Sequence, residues 1–330
     1  FEHCLNVIRQ ASVEILTLLK MRVTEGKDPR WFLEQLDQAR LNLGGWGAVA
    51  QRLKINDSQL SEFMLQLRHL QQGTVSYEHG LHATENQLIA AQRFVVTLEQ
   101  IKLQQPLLRY TTGYESDADQ LQEQAERHIR TIHLMLSGLV TQIWPDTPHL
   151  HHHLKSLFGE QEVARWHSRS PSGEILNGMS FSELALLVVD KKTFSRHYAS
   201  LFNYGNALTF LIEQRLTLHA FLDDIRRMRN KLLAHHPLTE IECLLLDHYA
   251  QQITAPVQRA YEQGRTRVNP ASLMVADGSE VQHYWHRAAE YAQAWGADAL
   301  PIARKAIAAT KKKKAVERSS IDQRIDYRWV

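Results

Sequence analysis

The stretch Arg226-Arg-Met-Arg-Asn-Lys-Leu-Leu-Ala-His-His236 brings a carboxamide, two imidazoles and several cationic side chains together at the end of a helical pattern. Arg229 and the two histidines fall within about two helical turns. A guanidinium binds phosphate through a planar, permanently charged fork, and an imidazole moves protons near neutral pH. Together these groups could cut RNA without a metal ion, so the stretch predicts both a helix end and a candidate catalytic site.

Which histidine faces Arg229 depends on where the helix ends. Seven steps of about 100° would bring His236 almost directly below Arg229, whereas His235 would lie well around the cylinder. Pro237 drives the residue before it out of the α region, so the helix is expected to end near Ala234 or His235. His236 would then leave along an extended path, and both histidines stay candidates.

The spacing of these residues resembles the signature of the HEPN superfamily of helical domains. That signature is an arginine, often followed by a polar residue, with four to six residues between the arginine and a histidine. Arg229, Asn230 and His235 match it with five intervening residues, and His236 matches it with six. Three flanking segments also resemble HEPN helices: residues 181–189, 206–228 and 237–249. The likeness covers roughly residues 118–266.

The HEPN resemblance implies a metal-independent endoribonuclease that needs no cofactor. It makes Arg229 and His235 or His236 the catalytic residues and gives Asn230 a supporting role. It also implies a homodimer through this domain, with two motifs lining one cleft. Because HEPN proteins recur in toxin–antitoxin pairs and in antiviral defence, the resemblance implies a toxin or effector with an antitoxin or defence-system partner.

Two other functions are compatible with the same residues. Many HEPN-like domains bind RNA or a partner without cutting it, which would make this chain a scaffold or regulatory subunit. A DNA-binding regulator of a mobile element is the second alternative. It depends on residues 46–70, where two short helices joined by a tight turn could form a helix-turn-helix. The second of these helices carries little positive charge for phosphates, so a packed helical hairpin is favoured.

The overall charge restricts where a nucleic acid can bind. The formal net charge is only +2, so contact with RNA requires a local basic patch. Arg226, Arg227 and Lys231 are the predicted RNA-binding residues. Two carboxylates on the approach, Asp223 and Asp224, are expected to pair with arginines at the surface.

The spacing of apolar residues predicts an all-α fold in three parts. With 44% hydrophobic residues, the chain is expected to bury helical cores. Residues 1–115 are predicted to form a separate N-terminal helical domain and residues 118–266 a helical-bundle, HEPN-like domain. Residues 267–330 form a C-terminal helical extension with a basic tail. Residues 106–119 are predicted to link the first two parts. Residues 145–178 are predicted to form a loop-rich excursion that carries a short helix near residues 150–158.

Four histidines, at positions 149, 151, 152 and 153, offer imidazoles at helical spacing and by counting alone look like a zinc site. No Cys or His-Glu-x-x-His pattern completes such a site, so an exposed polar segment is favoured and no metal is predicted. Cys4 and Cys243 form no disulfide framework, which fits a reducing compartment. With no apolar run long enough to cross a membrane and no signal-peptide pattern, we expect a cytoplasmic protein without membrane contact.

Overall fold

The computed structural model describes residues 1–75, 83–113, 118–170, 173–203, 207–296 and 298. Within these ranges the chain forms helices and no strand, so the predicted all-α fold is confirmed. The chain divides into two compact units. The first contains Phe1–Ser116 and Thr239–Leu245, and the second contains Asp117–Leu238 and the chain from Leu246 to Ser320.

The described N-terminal part of the first unit contains the helices α1 (Glu2–Leu18), α2 (Pro29–Leu43), α3 (Trp46–Leu53), α4 (Asp57–Thr74) and α5 (Glu85–Gln104). Local signals set their ends. The Asp28 side chain caps α2 by accepting a hydrogen bond from the Trp31 N–H, and Gly44 ends this helix in the left-handed region. Edge-on contacts between Phe32, Phe63 and Phe94 join α2, α4 and α5 in the core.

The predicted hairpin at residues 46–70 corresponds to α3 and α4, but α4 is longer than expected and reaches Thr74. Asn56 starts α4 with a capping box shared with Gln59. One face of α4 is buried, and that face includes Gln66, one of the polar residues that the DNA-binding hypothesis places on the second helix. The DNA-reading role stays a prediction.

The first half of the predicted linker is fixed to the first unit. Tyr110 is buried, and its hydroxyl donates to the Leu98 carbonyl oxygen at 2.7 Å. The Glu14 carboxylate accepts hydrogen bonds from the main-chain N–H groups of Arg109 and Tyr110. Residues 106–113 therefore do not form a free linker, because tertiary contacts that the local sequence does not reveal hold them.

The second unit starts with α6 (Ala118–Ile143), α7 (Thr147–Phe158), α8 (Glu160–Arg169) and a 3-10 turn at Ile175–Gly178. It continues with α9 (Phe181–Val189) and a short irregular helical segment made of α10 (Lys191–Thr193), a π-helical turn (Phe194–Tyr198) and α11 (Ala199–Phe202). The last described helices are α12 (Gln214–Leu233), α13 (Glu240–Glu262), α14 (Pro270–Met274) and α15 (Gly278–Trp295). The first residues of α13, up to Leu245, belong to the first unit.

Helix α9 is the centre of this second unit, since all nine of its residues are buried. A helix that is apolar all round must be covered on every side. Helices α6 and α12 both pack on α9, and α15 packs on α6 and α12. The described part of the predicted C-terminal extension, α14 and α15, therefore belongs to this unit.

The short helix predicted near residues 150–158 is confirmed as α7, but the rest of the predicted loop-rich excursion is more helical than expected, since α8 follows directly. The glycines of this excursion delimit helices and allow close packing. Gly159 lies at positive φ between α7 and α8, and Gly178 lies so close to the Trp166 carbonyl that a Cβ would overlap it. Trp166 is fully buried. Gly159 thus marks a helix end and Gly178 a close contact, where the sequence pattern favoured a loop.

Several predicted features lie outside the described residues: Asn206, the helix expected toward Thr310 and the lysines at 311–314. Within the described ranges, no helix is long and apolar enough to cross a membrane.

Candidate functional site

Helix α12 carries the motif and turns its arginines inward. Apolar residues at helical spacing, Leu218, Phe221, Leu222 and Ile225, are all fully buried. The stripe continues toward the C-terminus, so Arg226 and Arg229 enter the same buried face and are only 5% and 6% exposed. The motif arginine is therefore part of the interior of the unit.

Arg229 contacts a tyrosine on another helix. Its Nε donates to the Tyr284 hydroxyl of α15 at 3.4 Å, and that hydroxyl lies 2.9 Å from Nδ1 of His133 on α6. Because Tyr284 has a single hydroxyl proton, it can accept from Arg229 and donate to His133. Burial lowers the pKa of His133 to about 3, and the positive charge of Arg229 lowers it further. We call Arg229, Tyr284 and His133 the Arg229 cluster.

The terminal nitrogens of Arg229 remain available. Nε is its one hydrogen-bonding atom, and within the described part of the chain neither Nη group has a hydrogen-bond partner. A guanidinium whose Nε is fixed by a neighbour presents its two Nη groups as a bidentate donor for a phosphate.

Asn230 and Arg226 meet at one acceptor. Nδ2 of Asn230 donates to the Asp298 main-chain oxygen at 2.8 Å, and Nη1 of Arg226 donates to the same oxygen at 2.6 Å. Oδ1 of Asn230 is buried and accepts no hydrogen bond from a described residue. Asn230 therefore retains an acceptor that can bind a donor in a ligand or in a moving side chain.

The end of α12 differs slightly from the prediction. The helix ends at Leu233, with Ala234 as its C-cap. The His235 N–H donates to the Leu232 carbonyl, and the His236 N–H donates to that of Lys231, which is the hydrogen-bond pattern of a Schellman motif. His235 occupies the left-handed position of this motif, with φ +58°, where glycine is usual.

Both motif histidines are exposed, and neither forms a hydrogen bond with Arg229. The imidazole that the fold brings to Arg229 is His133 instead. The structure thus brings Arg229 and Asn230 to one buried region and leaves His235 and His236 at the adjacent surface.

The predicted basic patch is only partly exposed. Nε of Arg226 donates to Asp223 at 3.0 Å, and this arginine is buried. Arg227 pairs with Asp224 and keeps about a third of its side chain exposed. Asp224 is itself buried and accepts a hydrogen bond from the Tyr249 hydroxyl at 2.6 Å. The expected pairing of Asp224 with an arginine is confirmed, but its surface location was wrong, because Asp224 ties α12 to α13 inside the unit.

The histidines of α7 have separate partners. His149 pairs with Asp146, His151 lies against His167, and His153 stacks on Trp144 at 4.5 Å. Among the described residues there is no group of three or more His, Cys, Asp or Glu side chains placed to hold a metal ion.

A comparison with protein-family models gave one decisive result. The model of the STY4199-like HEPN family matches residues 1–270, which is well over half of the chain. The chain belongs to this family. No curated protein and no solved structure gave a significant match. The HEPN match also extends over the N-terminal helices, whereas the motif-based resemblance was limited to residues 118–266.

Sequence reasoning missed three residues around the HEPN motif: His133, Tyr284 and Asp298. Their contacts to the motif helix span 55 residues for Tyr284 and 68 for Asp298. His133 was detectable in part, since it is a polar residue near the buried stripe of α6. Tyr284 and Asp298 carry no local signal, because a hydroxyl or a main-chain oxygen becomes part of a site only through packing.

The backbone of His235 leads to a prediction about stability. A left-handed conformation costs a non-glycine residue about 1–2 kcal/mol, while glycine adopts it freely. We expect His235→Gly to be more stable than His235→Ala by about 1 kcal/mol, as measured by urea unfolding. Both variants lack the imidazole, so they form a matched pair. Equal stability would contradict the left-handed turn.

Proposed function

We propose that this HEPN protein is a metal-independent endoribonuclease. The observation that carries the proposal is the backbone of His235, an exposed imidazole at a position where glycine would be less strained. Strain at a non-glycine residue in the left-handed region is typical of functional sites. The strained turn lies directly after the helix that carries Arg229 and Asn230, and it carries two imidazoles, those of His235 and His236.

The proposed reaction is attack of a ribose 2′-hydroxyl on the adjacent phosphorus. His235 or His236 takes the proton from the 2′-oxygen, and the new O–P bond forms as the bond to the 5′-oxygen breaks. The leaving 5′-oxygen takes up a proton from the other imidazole or from water. The products are a 2′,3′-cyclic phosphate and a 5′-hydroxyl end.

In this proposal, Arg229 and Asn230 support the transition state. The Nη groups of Arg229 stabilise the negative charge that builds on the phosphate oxygens. The free Oδ1 of Asn230 accepts a hydrogen bond that orients an imidazole or the substrate. Loss of Asn230 should cost less activity than loss of Arg229, because its contribution is one neutral hydrogen bond.

We further propose that the protein acts as a homodimer and as a toxin or effector in bacterial defence or in conflict between mobile elements. Exposed imidazoles at the edge of a HEPN domain suit a cleft shared by two copies. An antitoxin or another defence-system component is the proposed partner, and Arg227 and Lys231 are the proposed surface contacts to RNA.

The test is cleavage of total RNA and of tRNA in the presence of EDTA. Wild-type protein should cut, and His235→Ala/His236→Ala should be slower by about 10²- to 10⁴-fold. His283→Ala, which removes an exposed histidine from α15, is the matched control and should cut at the wild-type rate. Equal rates for the double variant and the control would refute the assignment.

One observation favours a second function, RNA binding without cleavage or a scaffold role. Arg229 is buried and has no hydrogen bond to a motif imidazole. A structural arginine would show the same contacts. RNA binding by the wild-type protein with no cleavage by any form would support this function.

A further inference from the structure

Asp298 is the residue around which the polar groups of the second unit converge. Its main-chain oxygen accepts from Arg226 Nη1 at 2.6 Å and from Asn230 Nδ2 at 2.8 Å. Its carboxylate Oδ2 accepts from the main-chain N–H of Ser182 at 2.9 Å. Three N–H donors from two helices thus bind two oxygen atoms of a single residue, which is only 8% exposed.

The donors have the chemistry of a phosphate site. Ser182 lies in the first turn of α9, where unpaired N–H groups and the helix dipole favour an anion. Arg226 adds a permanent positive charge and is itself 95% buried, given its 5% exposure. Asn230 adds a neutral donor. We call the Arg226 guanidinium, the Asn230 carboxamide and the Ser182 N–H the oxyanion cradle.

A second observation at the cradle points to a ligand. The Ser182 hydroxyl is fully buried and has no hydrogen-bond partner among the described residues. A buried hydroxyl without a partner is unfavourable, and a larger oxyanion would supply an acceptor that the carboxylate of Asp298 does not. Asp298 also lies near the Arg229 cluster, since its charge raises the pKa of His133 against the larger effect of burial.

We propose that the oxyanion cradle binds a phosphate of the RNA backbone next to the scissile one, and that Asp298 occupies it in the resting chain. This inference rests on the proposed function, because it supplies RNA as the ligand. A phosphodiester has two non-bridging oxygens, which can replace the carbonyl and carboxylate oxygens of Asp298. RNA must then displace Asp298 before it binds fully.

Competition by Asp298 weakens the apparent affinity for RNA. When a site is available in only a fraction of molecules, the apparent dissociation constant equals the intrinsic one divided by that fraction, so it rises. Removing the carboxylate removes one hydrogen bond that holds Asp298 and one negative charge that repels phosphate. Both changes favour RNA, and we expect a gain of about tenfold in RNA affinity, which corresponds to about 1.4 kcal/mol.

The test measures binding apart from cleavage. A fluorescent 2′-O-methyl RNA lacks the attacking hydroxyl and cannot be cut by the proposed reaction. Fluorescence anisotropy with the full chain should show about tenfold tighter binding for Asp298→Ala than for wild type. Glu290→Ala, which removes an exposed carboxylate from α15, is the matched control and should bind like wild type.

A double variant tests whether the cradle is the site of the gain. Adding Asn230→Ala to Asp298→Ala should abolish most of the increase, because the phosphate then loses one of its donors. If Asp298→Ala proves unfolded, Asp298→Asn decides, since it keeps an oxygen acceptor for Ser182 and removes only the charge. The same affinity for Asp298→Ala and Glu290→Ala, or a gain that survives Asn230→Ala, would overturn the inference.

The endoribonuclease proposal and the oxyanion-cradle proposal can be refuted independently of each other. Cleavage by wild-type protein with no effect of Asp298→Ala on binding would leave the nuclease and remove the cradle. Tighter binding of the 2′-O-methyl RNA by Asp298→Ala, with no cleavage of ordinary RNA, would leave the cradle and remove the nuclease.

Discussion

Arg229→Ala is expected to slow RNA cleavage by about 10³-fold, the usual effect of removing an arginine or an oxyanion donor that stabilises a transition state. The fold should survive, because the Tyr284 hydroxyl keeps its hydrogen bond with His133. Arg229→Lys keeps the charge but loses the planar fork, so we expect an intermediate rate. The measurement is the initial rate of cleavage per folded molecule, with folding checked by circular dichroism.

The matched control for Arg229 is Arg30→Ala in α2. Arg30 is exposed, and its ion-pair partner among the described residues is Glu34, one turn away. Its replacement should leave the cleavage rate within about twofold, since exposed pairs contribute little to stability. Full activity in Arg229→Ala would show that this arginine is structural and would move the conclusion to the non-catalytic alternative.

The second large effect concerns acid stability. The pKa of His133 is about 3 in the folded chain, against an ordinary value of 6.5. Between these two pH values the unfolded chain binds a proton that the folded chain does not. Stability therefore falls as pH falls, by about 1.4 kcal/mol per pH unit. From about pH 6.5 to about pH 4.5, His133 alone should remove about 2 kcal/mol, because the unfolded-state imidazole is already half protonated at the upper pH.

His133→Phe tests this directly. Phenylalanine suits a buried site already in edge contact with Phe181, and it does not titrate. Urea unfolding at about pH 6.5 and about pH 4.5 should show a smaller loss of stability in the variant than in wild type, by about 2 kcal/mol. His283→Gln removes an exposed histidine and should leave the loss unchanged. The same loss in His133→Phe would mean that His133 is not the buried neutral group described.

Other histidines contribute to acid unfolding, which is why the difference between variants is the relevant quantity. In the first unit, burial lowers the pKa of His69 to about 4, and Arg93 lowers it further. Burial also lowers the pKa of His219 in α12. Their effects are the same in wild type and in His133→Phe, so they cancel when the two are compared.

Local signals predicted much of the fold. Helix α9 has the bounds of the segment 181–189 that was singled out by its resemblance to a HEPN helix, and the structure shows that Ser180 and Glu183 form a capping box at its start. The end of α12 was placed within two residues, since Pro237 excludes the α region from the residue before it. The excursion at residues 145–178 was misjudged. Glycines mark both loops and helix ends, and only packing against Trp166 distinguishes the two at Gly178.

The candidate site was predictable only in part. The spacing of Arg229, Asn230 and the two histidines is a property of one segment, so the sequence was enough to single them out. The contact between Tyr284 and His133 joins residues 151 positions apart, and that between Ser182 and Asp298 joins residues 116 apart. Such pairs depend on how α6, α9 and α15 pack around α12.

By itself, the sequence determined the all-α class, the ends of most helices and the motif that places the chain among HEPN proteins. These features depend on helical periodicity, capping and turn chemistry, which act over a few residues. Only the tertiary structure decided that Arg229 is buried against Tyr284, that His133 is the imidazole beside it, and that Asp298 binds Arg226 and Asn230. The environment of a polar side chain is set by the distant helices that exclude water from it, and no local pattern encodes which helices those are.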